Sequence, residues 1–124
     1  MSLSCIFCDQ SRFRPEYETS TAMIVRDINP VSPGHTLIIP KRHVQSYFDL
    51  IPGERKQLDI LLDRAHRSLV AEFKPAGFNV GINDGADAGQ TVPHVHIHLI
   101  PRYAGDVVDP RGGIRGVIPG KAIY

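Results

Sequence analysis

The segment 93–101, with the sequence PHVHIHLIP, restricts the fold of this chain more than any other stretch. Its three histidines, His94, His96 and His98, occupy alternate positions, and an apolar residue follows each of them. Because successive side chains of a β-strand point to opposite faces, this alternation predicts a strand with one imidazole face and one apolar face. The apolar face requires a core on one side of a sheet, and the imidazole face is the candidate functional site.

The rest of the pattern predicts an α+β domain. Alternating or β-branched stretches predict further strands over 16–19, 22–27, 36–39 and 77–84. From Pro52 to about Phe73, apolar residues recur at intervals of three and four, which predicts one long helix with a proline in its first turn. Hairpins grouped around one main helix are typical of an antiparallel sheet packed against that helix.

Length and charge limit the organisation and the partners. A chain of 124 residues fits one domain over 1–124, with a core over about 5–106 and a loop-rich C-terminal extension over 107–124. A net charge of +1 gives no electrostatic basis for binding nucleic acid or a membrane surface. The chain has no apolar run near the roughly 20 residues of a membrane span, and its first residues lack the features of a signal peptide. We therefore expect a cytoplasmic protein.

The spacing of the three histidines limits what they can bind together. Neighbours on one face of a strand are about 6.8 Å apart at Cα, so His94 and His98 are separated by about twice that distance. Tetrahedral zinc holds its nitrogen ligands about 3.3 Å from each other, so one ion can take one or two of the three histidines. The middle histidine, His96, is then a neutral imidazole suited to nucleophilic attack on phosphorus. His98 is a candidate donor beside the leaving oxygen, and His35 a candidate support from the adjoining strand.

The glycine-rich loop before the histidines offers groups suited to phosphate oxygens. Gly85 and Gly89 permit close approach of the backbone, and Gln90 and Thr91 are neutral donors. Loops of this composition are usually ordinary turns. The loop therefore supports a phosphate site only in combination with the histidines that follow it.

Cys5 and Cys8 form a C-x-x-C pair. In a reducing compartment this spacing indicates a metal site or a redox pair, and the remaining interpretation is two small core residues. A thioredoxin-like pair is disfavoured because no βαβ pattern follows the cysteines. Two thiolates make only half of a tetrahedral zinc site, so a metal here requires two more ligands.

The sequence HVHIHLI at 94–100 resembles the signature of the histidine triad (HIT) family at every position. The stretch NPVSPGHTLIIPKRHV is similar to the family's central strand and its approach, and AGQTVPHVHIHLIPR is similar to the branch that includes the fragile histidine triad hydrolases. The resemblance covers about residues 5–106. It implies a HIT-like fold with a five-stranded antiparallel sheet, one long helix and a short one, and a homodimer whose sheets join across a two-fold axis.

The resemblance also implies roles for individual residues. His96 matches the nucleophile that forms a covalent nucleotidyl intermediate, from which water releases a nucleoside monophosphate. The catalytic set is His35, Gln90, His96 and His98, and Asn83, Gly89, Gln90, Thr91 and His98 are expected around the phosphate. Asp27 matches the position that binds the ribose hydroxyls. Candidates for a purine pocket are Ile6, Phe7, Ile28 and Leu37.

For the cysteines, the resemblance implies a zinc site. Similar CIFC starts occur in zinc-carrying members of the family and in the related galactose-1-phosphate uridylyltransferases. The missing ligands are then His43 and His94, which would close a structural Cys2His2 site with Cys5 and Cys8. Free thiols remain the alternative, because members without the cysteines fold and act without metal.

Together these features predict a hydrolase that splits a nucleoside phosphoanhydride at the α-phosphorus, with a dinucleoside polyphosphate as the expected substrate. A nucleoside phosphoramidase uses the same chemistry and remains an alternative. So do a nucleotide-binding interaction module with incidental turnover and a pure metal-binding protein. Arg111, Arg115 and Lys121 in the C-terminal extension are candidate contacts for further phosphates, and otherwise form a solvated basic loop.

Overall fold

The computed structural model describes residues 5–124, and its centre is a five-stranded antiparallel sheet. The strands are β1 (Tyr17–Glu18), β2 (Ala22–Arg26), β3 (Thr36–Pro40), β4 (Gly77–Gly81) and β5 (Ile97–Arg102). Their order across the sheet is β1-β2-β3-β5-β4, and every neighbouring pair is antiparallel. The predicted sheet is confirmed. Residues 1–4 lie outside the described residues. They belong to the N-terminal stretch from whose sequence we expect no signal peptide.

One long helix, α1 (Pro52–Phe73), packs against the sheet with the bounds that the apolar pattern predicts. Pro52 occupies its first turn, and the Glu54 carboxylate accepts a hydrogen bond from the Ile51 N–H at 3.0 Å, which satisfies one free donor of the helix start. The helix ends where Lys74 adopts a left-handed conformation with φ 50°. Its apolar stripe is buried at Leu58, Leu61, Ala65 and Leu69.

In place of the one short helix of the expected fold, the structure has short 3-10 helices. Four such helices occur among the described residues: Gln10–Arg12, Tyr47–Asp49, Ala86–Ala88 and Gly113–Val117. Within residues 5–124, no helix combines the length and the apolar character that crossing a membrane requires.

The two faces of the sheet bury different parts of the chain. One face packs against α1 through a cluster that includes Ile24, Ile38, Val95, Ile97 and Leu99. The other face is covered by the N-terminal segment, in a cluster that includes Cys5, Phe7, Cys8, Met23, Val25, Leu37 and Ile39. Residues of β2 and β3 alternate between these clusters, as the period of two requires.

The histidine segment forms a shorter strand than predicted. β5 begins at Ile97, because β3 pairs with it only from Thr36 to Ile38. Just before the strand, the Val95 N–H donates to the Val44 carbonyl at 2.7 Å instead of joining the ladder. The alternation of faces nevertheless continues back to His94, since Val95 and Ile97 both lie in the cluster under α1.

The turn before β3 approaches α1 so closely that it favours glycine. Gly34 has φ +86°, and a Cβ built on it would lie 3.0 Å from Leu69 Cδ2 and 3.1 Å from Phe73 Cδ2. Both the backbone conformation and the space therefore disfavour a side chain here. The next residue is His35, which directly precedes β3, so this contact helps to place His35 and the start of the strand.

Candidate active site

A cleft of about 430 Å³ opens on the side of the sheet opposite α1. Every residue that the family resemblance assigns to catalysis, phosphate, ribose or base lines it: Ile6, Phe7, Asp27, Ile28, His35, Leu37, Asn83, Gly89, Gln90, Thr91, His96 and His98. The lining also includes Arg12, Arg26, Asn29 and Val31, which the sequence did not single out.

Hydrogen bonds to the backbone fix which nitrogen of His96 carries the proton. His96 Nδ1 lies 2.9 Å from the carbonyl oxygen of His94, and a carbonyl can only accept. The proton is therefore on Nδ1, and the lone pair of Nε2 is free in the cleft. The Phe7 ring packs edge-on at 4.8 Å from the His96 ring and limits its movement. This is the arrangement that a nucleophilic imidazole requires.

A second chain of hydrogen bonds fixes the tautomer of His98. The Val31 N–H donates to His35 Nδ1 at 3.2 Å, so the proton of neutral His35 is on Nε2. That N–H donates to His98 Nδ1 at 2.9 Å, which leaves the proton of His98 on Nε2. Burial, with the positive charge that His96 and His35 can carry, lowers the pKa of His98 to about 4. At neutral pH His98 is therefore an uncharged N–H donor.

Asp27 stands beside this pair at the end of β2. Its Oδ1 accepts a hydrogen bond from the Asn29 N–H at 2.9 Å, and its Oδ2 lies 3.5 Å from His35 Nε2. Burial lowers the pKa of His35, so at neutral pH this contact joins a carboxylate to a neutral ring and is not an ion pair. The carboxylate keeps acceptor capacity toward the cleft.

The glycine-rich loop between β4 and the histidines forms the third wall. Gly85 and Gly89 have φ +97° and +94°, so the two positions suit glycine as the composition indicated. Among the described residues, neither the N–H nor the hydroxyl of Thr91 has a hydrogen-bond partner, and Thr91 lines the cleft. The Gln90 amide, in contrast, forms its hydrogen bonds within the protein, to Gly85, Gln45 and Val92.

The two cysteines meet two histidines next to the cleft. Potential ligand atoms of Cys5, Cys8, His43 and His94 all lie within 4.8 Å of one another. His94 Nδ1 is 3.5 Å from each Sγ and 3.3 Å from His43 Nδ1, and Cys8 Sγ is 3.1 Å from His43 Nδ1. A tetrahedral zinc ion separates two nitrogens by about 3.3 Å and a nitrogen from a sulfur by about 3.5 Å. The cluster therefore has the dimensions of a zinc site.

The state of His94 also suits a metal. Its Nε2 lies 2.7 Å from the Pro40 carbonyl, so Nε2 carries the proton and the Nδ1 lone pair points at the two thiols. The residue is fully buried, and burial lowers its pKa, which keeps the ring neutral and able to coordinate. Both cysteines are free of disulfide bonds. All four predicted ligands are thus brought together.

The basic residues of the C-terminal extension are not part of the cleft lining. Arg111 pairs with Asp109 at 2.9 Å, and Arg115 Nε donates to the Lys121 carbonyl at 3.1 Å. Within one copy of the chain, these side chains therefore bind other residues of the extension.

Comparison with known proteins gives a consistent result for most of the chain. A family model described as the HIT domain matches residues 15–105. This range contains the glycine-rich loop and all three alternating histidines, and it begins after Cys5 and Cys8. The family match therefore covers most of the cleft lining, but it includes neither the N-terminal lining residues Ile6, Phe7, Arg12 and Phe13 nor the thiols of Cys5 and Cys8.

Individual relatives and structures agree. An asymmetrical bis(5'-nucleosyl)-tetraphosphatase of Schizosaccharomyces pombe is 41% identical over 90 residues, which are 73% of this chain and 50% of that protein. The chain thus spans half the length of this relative. A HIT family protein from Bacillus anthracis matches with a TM-score of 0.80 at 39% identity, covering 86% of this chain and 78% of that one. A zinc-bound histidine triad protein from Mycobacterium smegmatis has a TM-score of 0.78 at 34% identity, covering 88% and 82%.

Proposed function

The chain belongs to the HIT family, and from this membership and the geometry of its cleft we propose that it hydrolyses a nucleoside phosphoanhydride at the α-phosphorus. The expected substrate is a dinucleoside polyphosphate. One observation carries the proposal: the free Nε2 lone pair of His96 lies in the same cleft as the Nε2–H of His98. A nucleophile and a neutral donor are the two groups that displacement at phosphorus needs.

The reaction has two steps. His96 Nε2 attacks the α-phosphorus, a P–N bond forms, and the P–O bond to the leaving phosphate breaks with its electron pair on the leaving oxygen. His98 donates its N–H to that oxygen. Water then attacks the nucleotidyl-histidine, and the P–N bond breaks with its electron pair returning to His96 Nε2. A nucleoside monophosphate leaves with the oxygen of that water, and a proton of the water passes to solvent. The His94 carbonyl stabilises the positive charge that His96 carries in the intermediate, because it accepts from Nδ1–H throughout.

The remaining lining residues bind the nucleotide. Thr91 offers a free N–H and hydroxyl to the phosphate oxygens, and Asn83 adds a side-chain amide. Asp27 accepts hydrogen bonds from the ribose hydroxyls. The base lies among Ile6, Phe7, Ile28 and Leu37, of which Ile28 is 85% exposed at the mouth and becomes covered when a base binds.

Cys5, Cys8, His43 and His94 would hold one zinc ion, as their separations fit. The ion would supply a cross-link between the N-terminal segment and the approach to β5, and it takes no part in either chemical step. A second copy of the chain is the expected partner, in the two-fold dimer that the family resemblance implies.

Parallel assays of three substrates test the function. Diadenosine triphosphate, diadenosine tetraphosphate and adenosine 5'-phosphoramidate are incubated with the protein in water enriched in ¹⁸O, and the products are identified by mass spectrometry. Attack at the α-phosphorus places one ¹⁸O in AMP. Faster turnover of either dinucleotide supports the proposal, and faster turnover of the phosphoramidate identifies the alternative leaving group. AMP binding without turnover of any of the three would reject an enzymatic function.

A further inference from the structure

The side chain of Gln90 is fully engaged inside the protein. Its Oε1 accepts from the Gly85 N–H at 2.8 Å, and its Nε2 donates to the carbonyls of Gln45 at 2.8 Å and Val92 at 3.1 Å. A side-chain amide has two N–H donors, and both are used here. Gln90 lines the cleft but has no free donor for a phosphate oxygen.

Asp84 makes a second connection between the same two parts of the chain. Its Oδ2 accepts from the Ser46 hydroxyl and from the Tyr47 N–H, both at 2.9 Å. Asp84 is not among the residues that line the cleft. Gln90 and Asp84 therefore fasten both ends of the loop 84–92 to the segment 45–47.

The loop has little else to hold its shape. Its internal backbone hydrogen bonds form one short 3-10 turn, from the Ala88 and Gly89 N–H groups, and one further bond from the Gln90 N–H to the Gly85 carbonyl. Two glycines with positive φ add conformational freedom to the unfastened loop. The position of the free Thr91 donors thus depends on the two side-chain connections.

The residue just before the segment 45–47 contacts the stretch that carries the proposed nucleophile. The Val44 carbonyl accepts from the Val95 N–H at 2.7 Å, next to His96, and the adjacent carbonyl of Gln45 accepts from Gln90. Two consecutive peptide groups therefore position the histidine segment and the loop. The distance between the His96 ring and the Thr91 donors is fixed by one short stretch of backbone.

We infer that Asp84 and Gln90 form a clamp that positions the loop for the substrate's phosphate, and that Gln90 acts through the loop instead of touching the phosphate. This inference rests on the proposed function, since it assigns the loop to phosphate binding. Displacement of a phosphate contact by about 1 Å is enough to lower the rate about a hundredfold. Asp84 and Gln90 are accordingly positioning residues.

The test uses Gln90→Ala, Asp84→Ala and the double variant. Gln45→Ala is the matched control, because it removes an exposed side chain and keeps the carbonyl that Gln90 uses. Two readouts are taken at 10 °C, where thermal unfolding curves establish that each variant is folded: kcat and KM for the dinucleotide, and the Kd values of AMP and adenosine by calorimetry. Adenosine has the base and ribose but no phosphate, so it separates loop placement from general damage.

We expect each clamp variant to lower kcat/KM ten- to a hundredfold and to weaken AMP binding at least fivefold, with adenosine binding within twofold of the wild type. The double variant loses less than the product of the two single losses, because either cut releases the same loop. A large loss in Gln90→Ala with no loss in Asp84→Ala would overturn the inference and make Gln90 a direct ligand. Equal losses for AMP and adenosine would also overturn it.

A further variant covers the case of misfolding, and the binding data cover the case of an inactive wild type. If an alanine variant does not fold, Ser46→Ala is used, because it removes one of the two hydrogen bonds to Asp84. It should weaken AMP binding less than the clamp variants, raising the Kd at least twofold. An unchanged Kd would count against the clamp. If the wild type hydrolyses nothing, the proposed function fails. The AMP and adenosine affinities still decide whether the clamp positions a phosphate site.

Discussion

Five of the six histidines lie in two neighbouring clusters, and the two clusters use the same side chain in opposite ways. His94 and His96 are two residues apart, and each bonds a backbone carbonyl. His94 uses Nε2, which turns its Nδ1 lone pair toward two thiols, and His96 uses Nδ1, which leaves its Nε2 lone pair in the cleft. The backbone partner of each ring, more than the residue type, thus separates the proposed metal ligand from the proposed nucleophile.

The largest effect is expected from removing the proposed nucleophile, His96. His96→Ala should lower kcat at least about a thousandfold, because the covalent route has no substitute group in the cleft. AMP affinity should change by less than about threefold, since the phosphate donors remain. Steady-state kinetics and calorimetry measure the two quantities. Residual turnover within tenfold of the wild type would mean that another group attacks phosphorus.

A smaller effect is expected when the donor is removed. His98→Asn should lower kcat about a hundredfold for a dinucleotide, whose leaving phosphate gains from an N–H donor. The loss should shrink to less than about tenfold for an adenylate ester with a 2,4-dinitrophenol leaving group, whose much less basic oxygen gains less from a hydrogen bond. An equal loss for both leaving groups would place His98 in substrate binding instead.

Removing a ligand of the proposed zinc site should lower the stability of the protein and change kcat little. If the protein holds the proposed zinc ion, Cys8→Ser should lower the zinc content below that of the wild type and reduce Tm by about 10 °C, because the cross-link to the N-terminal segment is lost. The change in kcat measured well below Tm should stay under about threefold. Metal analysis, thermal unfolding and kinetics test this together. A loss of rate as large as that of His98→Asn would show that the two clusters are not separate in function.

The smallest effect concerns pH. The pKa of His98 is about 4 in the folded protein against an ordinary value of 6.5, so above pH 6.5 both states are neutral and the free energy of unfolding is unaffected. As the pH falls from 6.5 to 4, the unfolded chain takes up a proton that the folded protein does not. Folding should then lose about 2 kcal/mol through this residue. Urea unfolding at both pH values should show a smaller loss in His98→Asn, and identical losses would remove His98 as the cause.

The sequence predicted the elements whose pattern is local. The helix is found at Pro52–Phe73 because a long apolar stripe and a first-turn proline leave few alternatives, and the alternating faces of the histidine segment follow from a period of two. The strand bounds were less accurate. β5 starts at Ile97 because β3 pairs with it over only three residues. The alternation of histidines and apolar residues does not predict the length of this pairing.

The placement of individual residues was predictable only where the family resemblance or the chemistry of the side chain was specific. The predicted metal ligands do converge, and so do the predicted cleft residues, but the bonds of Gln90 and Asp84 were not foreseen. Asp84 contacts Ser46 across 38 sequence positions, and Gln90 contacts Gln45 across 45. Such pairs leave no periodic signal. The same holds for the Val31 N–H, a backbone group that sets the tautomers of His35 and His98.

The contact between Gly34 and α1 extends the functional part of the molecule beyond its cleft. A methyl group at this turn would require the ends of the Leu69 and Phe73 side chains to move, and the φ of +86° would strain the backbone just before His35. Under the proposed function, mutational tolerance at position 34 is therefore governed by catalysis as well as by packing. Natural selection for turnover would act on a residue that no ligand ever touches.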